Sequence, residues 1–201
     1  MKKFMLTLVL AIVMLLAFTA CNVITSSDTG ATVQVDSTVS DIQAPTDAEI
    51  EAAYQRAVEA YAWFDRESLP SDWEDQIEDE NGWIYTRVDH ESISTLADLQ
   101  AHLHDIFTAE VVSGMFDRSG SNYREFHGVL YTLGGERGWN ITAGEETHEI
   151  IRESDTRIIY RVTVEILDVD TLETVVDTEV HEFIYELIDG QWLFSNFNLT
   201  R

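Results

Sequence analysis

The residues able to act as ligands, acids or bases are few and scattered. His102 and His104 lie two apart in a stretch of helical spacing. On a helix, positions two apart point about 200° from each other, so this pair does not share a metal ion. His127, His148 and His181 fall on stretches that read as strands, with no second ligand at chelating spacing, and read as structural histidines. Asp168-x-Asp170-x-x-Glu173 carries three carboxylates but lacks the glycine and further oxygen ligands of a calcium loop, and reads as a polar turn. Acid–base work in an enclosed pocket needs a carboxylate, Tyr or His whose pKa burial has shifted. Asp65, Tyr85, Tyr131, Tyr160 and His181 are the candidates if the fold brings them together. There is no Gly-x-Ser-x-Gly and no Cys/His pair. Gly134, Gly135 and Gly138 have no lysine or helix start behind them to make a phosphate cradle. The expectation is a binding protein without catalytic residues, metal or cofactor.

Binding surfaces are better represented. Trp63, Trp83 and Trp192 sit at core-facing spacing, whereas Trp73 and Trp139 fall in irregular polar stretches where an exposed indole would serve as an anchor. Around Trp73 lies the densest acidic cluster: Asp72, Glu74, Asp75, Glu78, Asp79 and Glu80. Together with Trp73 and Trp139 these form the candidate partner-binding set. The chain holds 37 acidic and 12 basic residues, and its only lysines are Lys2 and Lys3. Such charge repels nucleic acid and anionic lipid and steers the molecule toward a basic partner. It also serves simply to keep an exported domain soluble.

The elements that must position these groups begin after an address. Lys2 and Lys3 precede an almost wholly apolar run from Phe4 to Ala20, an export signal. The run stops at Phe18-Thr-Ala-Cys21, which resembles a bacterial lipobox with Phe18 in place of the usual leucine. Residues 1–20 then form a lipoprotein signal peptide, and Cys21, the only cysteine, is the lipidation site on the outer face of the cytoplasmic membrane. Disulfide chemistry is excluded. Residues 21–45 read as a flexible polar tether, and 46–201 as a single domain.

Within that domain Thr46 and Glu49 form a capping box, and Ile50, Tyr54, Ala57, Val58, Tyr61 and Phe64 recur at helical spacing. Leu69-Pro70 marks the end of that helix region. Trp73 to Val88 reads as a hairpin about Asn81-Gly82. A second helix runs from Ser94 or Thr95 through Phe107, and Thr108 opens a third. Tyr123 to Thr132 reads as one strand. From Thr147 to Asn198 come three to four long antiparallel strands; Arg157 to Leu167 alternates cleanly, and Asp189-Gly190 signals a tight turn. The valines Val176 and Val180 lie on the opposite parity from Phe183, Tyr185 and Leu187, which suggests a β-bulge near His181-Glu182. The expected class is α+β, with N-terminal helices packed on a strongly curved antiparallel sheet, as in the cone-shaped nuclear-transport-factor-2-like (NTF2-like) domains.

At a finer level the chain resembles the IseA-type inhibitors of bacterial DL-endopeptidases. The resemblance rests on Ala60-Tyr-Ala-Trp-Phe-Asp65 with Leu69-Pro70, Tyr123-Arg-Glu-Phe126, Glu153-Ser-Asp-Thr-Arg-Ile-Ile-Tyr-Arg-Val162 and Gly190-Gln-Trp-Leu-Phe-Ser-Asn-Phe197. It implies a surface protein that docks on an NlpC/P60-type cell-wall hydrolase and restrains autolysis, without naming an inhibitory residue. The alternatives are a small-ligand-binding NTF2-like lipoprotein and an enzyme of the same fold.

Overall fold

Helix α1 (Asp47–Asp65) begins where its cap requires. The Glu49 amide donates to Thr46 Oγ1 at 3.3 Å and the Thr46 amide donates to the Glu49 carboxylate at 2.7 Å, so two otherwise orphaned amides are satisfied. Helix α2 (Leu96–His104) repeats the device with Thr95 and Asp98. Helix α3 (Ala109–Ser119) follows Thr108, whose side chain makes no cap bond. The computed structural model describes residues 43–135, 138 and 140–201; the export signal, Cys21, nearly all of the tether and Trp139 lie outside the described residues. No helix among the described residues is long and apolar enough to cross a membrane.

The described strands make two antiparallel four-stranded sheets, so the class is α+β. A short sheet is built from the hairpins β1 (Ser71–Glu78), β2 (Ile84–Val88) and β3 (Tyr123–Phe126), β4 (Val129–Thr132), in the order β1-β2-β4-β3. A long meander holds β5 (Ala143–Ser154), β6 (Arg157–Leu167), β7 (Val175–Ile188) and β8 (Gln191–Phe194) in chain order.

Three strand expectations need correction. Tyr123 to Thr132 is a hairpin, because His127 (φ 54°) and Gly128 (φ 81°) form a tight left-handed turn; His127 is therefore a turn residue. Pairing of β6 with β7 runs unbroken past His181 and Glu182, and the bulge lies farther along, between Ile166 and Leu167 of β6, where Val176 is the extra residue. The parity of Val176 and Val180 misled because both are solvent-exposed and belong to no core face. Strand β8 stops at Phe194, and Phe197 turns back to stack on Phe183 at 4.6 Å. The Asp189-Gly190 turn forms as expected, with φ of 50° and 88°.

The core lies between α1 and the long sheet. Ile158, Tyr160, Val162 and Val164 alternate inward from β6, joined by Phe183 and Tyr185 from β7. Tyr54 of α1 stacks on Tyr160 at 4.3 Å, an arrangement worth about 1 kcal/mol beyond its area. The other end of α1 reaches the short sheet, where the Tyr123 hydroxyl donates to the Trp63 carbonyl at 2.8 Å and accepts from the Leu69 amide at 3.2 Å. Burial raises the Tyr123 phenol to about 12. The open edge of β8 is closed by the α2–α3 connection, since Thr108 N–H donates to the Phe194 carbonyl and Phe194 N–H to the Ile106 carbonyl, both at 3.0 Å.

Candidate functional site

Beyond Tyr160 and Phe183 the covered face of the long sheet changes character. The register places His148, Val162 and His181 side by side across β5, β6 and β7, and two residues along it places Glu146, Val164 and Glu179 side by side. Side chains two apart on a strand share a face. Each flanking strand therefore presents a Glu-x-His pair on either side of a valine stripe. With strands about 4.8 Å apart, His148 and His181 stand roughly 10 Å from each other, too far to share a metal ion. Among the described residues no group of three or more His, Cys, Asp and Glu side chains is arranged to hold a metal.

The β5 side is closely connected. The Tyr160 hydroxyl lies 3.1 Å from His148 Nδ1, and His148 Nε2 lies 3.9 Å from Glu146 Oε2. The Glu146 side chain is only 9% exposed. Its carboxylate accepts from Thr200 Oγ1 at 2.6 Å and pairs with the Arg201 guanidinium at 3.3 Å. Burial, reinforced by the Glu146 charge, lifts the Tyr54 phenol to about 12, with Thr200 and Arg201 pulling the other way. Burial likewise pushes Tyr160 above the ordinary phenol range. On the β7 side His181 Nε2 lies 3.4 Å from Glu179 and Nδ1 lies 3.4 Å from the Asn198 amide. Two hollows open here, of about 340 Å³ beside Asp65, Glu179 and His181 and about 150 Å³ beside Tyr54, Glu146 and His148. Tyr160 and His148 share a hydrogen bond beside the nearly buried Glu146, and the two hollows can admit a polar ligand of modest size.

Of the residues nominated for acid–base work, Asp65, Tyr160 and His181 lie at this site. Tyr85 and Tyr131 do not: Tyr85 is buried in the short sheet under Arg124, and the Tyr131 hydroxyl donates to Asp75 at 3.1 Å. Glu146, Glu179 and the pairing of His148 with Tyr160 were missed. The legible signal was the repeated Glu-x-His, at 146–148 and 179–181, on two strands flanking a third.

The acidic cluster on the β1–β2 hairpin is a second candidate. Register slips between Asp72↔Arg87 and Gln76↔Thr86, so Trp73, Glu74 and Asp75 loop out of β1 as a bulge. Arg87 clamps its base, meeting Asp72 at 2.9 Å and Asp75 at 2.8 Å. Asp79 is buried and pairs with Arg124 at 2.8 Å. Desolvation pushes the Asp79 carboxyl up, but the amides of Trp83 and Asn81, the Asn81 side chain and Arg124 outweigh it and hold the group below its usual range. Glu74, Glu78 and Glu80 are exposed. Trp73 stands 69% exposed on the bulge. Trp83, expected in the core, is 58% exposed, because it follows directly on the Asn81-Gly82 turn at the hairpin tip and precedes β2.

No family model matches the chain, and no curated protein matches it.

Proposed function

We propose that the chain is an exported lipoprotein, anchored through Cys21, whose NTF2-like cone binds and restrains a peptidoglycan DL-endopeptidase without catalysing a reaction itself. The observation that carries this reading is the exposed Trp73, held on a bulge that Arg87 clamps through Asp72 at its base and Asp75 within it. An aromatic anchor on a preformed base loses little freedom on docking. The exposed carboxylates Glu74, Glu78 and Glu80 on the same hairpin suit a basic partner. The resemblance of the core aromatics and turns to the IseA-type inhibitors supplies the class of partner.

The test is titration of residues 46–201 into a DL-endopeptidase catalytic domain digesting purified peptidoglycan, at low and physiological salt. Stoichiometric inhibition that weakens with salt supports the reading, and absence of both inhibition and complex overturns it. Trp73→Ala is expected to weaken the complex by about 2 kcal/mol, roughly 30-fold in Kd. A second reading, a receptor for a small polar ligand, is favoured by the nearly buried Glu146 beside His148 and Tyr160.

A further inference from the structure

The residues that cross the two Glu-x-His pairs belong to the chain itself. Asn198 meets His181 of β7, while Thr200 and Arg201 both reach Glu146 of β5, so residues 198–201 form a strap across the valine stripe. Leu199, Thr200 and Arg201 belong to the walls of both hollows. Leu199 packs against the core, the Thr200 hydroxyl occupies one oxygen of Glu146, and Arg201 occupies the other. Every feature of the strap thus has a matching feature beneath it.

We infer that this cleft is a peptide-binding site, and that residues 199–201 fill it as an internal stand-in for a ligand segment of the pattern apolar–hydroxyl–cation. The chemistry of Glu146 sets that pattern. Glu146 is nearly buried with the strap in place, so a segment that replaces the strap and covers the carboxylate again must bring a hydrogen-bond donor and a positive charge to offset its desolvation. The sheet supplies no cation at that rung, because its centre is Val164. Tyr54 and Thr200 line the same hollow beside Glu146. This inference rests on the covered face of the long sheet and is independent of the endopeptidase reading.

The experiment is a ¹⁵N NMR titration with a capped synthetic peptide of sequence Asn-Leu-Thr-Arg. It compares the wild-type protein, a strap-weakened variant (Thr200→Val with Arg201→Ser) and the same variant carrying Glu146→Gln. The tethered strap acts at an effective concentration in the millimolar range, so the strap-weakened variant is expected to bind the peptide at least about tenfold more tightly than wild type. The shifts should centre on Tyr54, Glu146 and His148, and Glu146→Gln should abolish them. Equal binding to wild type and variant, no saturable shift in the variant, persistence in Glu146→Gln, or equal binding of Asn-Leu-Val-Glu would each overturn the inference. Circular dichroism checks the fold of each variant; should the double variant unfold, Arg201→Ser alone carries the same comparison.

Discussion

The two faces of the long sheet solve the same electrostatic problem in different ways. On the outer face Glu149, Arg161 and Glu182 lie side by side across β5, β6 and β7, and Arg161 bonds both neighbours, at 2.7 and 2.8 Å. Arg157 likewise bridges Glu153 and Glu186. There the central strand supplies the cation. On the covered face the rung Glu146–Val164–Glu179 has the same acidic flanks but an apolar centre, and the cation for Glu146 comes from Arg201, outside the sheet. An acidic chain with few arginines can therefore close one face within the sheet, while the other depends on a segment laid over it. A cation that arrives from outside can be exchanged; one built into the central strand cannot.

The largest effect is expected where that covered face is apolar. Phe183→Ala should cost about 3–5 kcal/mol in urea unfolding, since Phe183 is fully buried between Tyr54 and Phe197. A loss below about 1 kcal/mol would mean that this end of the face is not the core. Glu146→Gln comes next, at about 1–3 kcal/mol, because Arg201 and Thr200 lose the carboxylate that holds them. It should also speed amide exchange at residues 199–201. Arg161→Ala, at the matching rung outside, should lower the melting temperature less, and the difference should vanish in roughly 1 M salt, where exposed pairs are screened. Equal salt-insensitive losses for both variants would erase the contrast between the faces.

The pH limits separate the same regions by sign. Burial lifts Tyr54 and Tyr123 to about 12 in the fold from the ordinary phenol value of 10.0. The fold favours their protonated forms, so this stabilisation is whole below pH 10 and is lost as pH rises through 12. Asp72, Asp79 and Asp98 are held below 3.8, so their contribution is whole above that value and is lost as pH falls through their folded values. Melts across both limits should show Tyr123→Phe flattening the alkaline fall and Asp79→Asn flattening the acid fall, each also lowering the plateau between them, because Trp63, Leu69 and Arg124 lose their partners. The smallest effect on stability belongs to Trp73→Ala, within about 0.5 kcal/mol, because the indole is mostly in water. A larger loss would make Trp73 part of the short sheet's packing and remove the anchor from the proposed interface.

Much of this architecture was written locally. The Thr46/Glu49 cap depends on side chains three residues apart, the alternation of β6 on neighbours two apart, and the Asp189-Gly190 turn on the φ values of two adjacent residues. Such signals act within one turn of helix or one rung of strand, and sequence alone determined them, along with the starts of the three helices, the long meander and the hairpin about Asn81-Gly82; the second helix ends at His104, short of the expected Phe107, where the chain leaves the helix to pair with Phe194. It also carried the aromatic content of the covered face. The turn at His127-Gly128 was missed because positive φ is uncommon outside glycine, although histidine is among the residues that adopt it more often, and the bulge was misplaced because two exposed valines imitate a core parity. Only the tertiary structure decided that β1-β2 and β3-β4 join into one sheet, that Arg87 and Arg124 answer Asp72, Asp75 and Asp79, and that Glu146 and His148 face Glu179 and His181 across a valine stripe under residues 198–201. These are matters of register between segments tens of residues apart. Each segment's own pattern says which face it buries, but only packing against the others fixes what stands opposite.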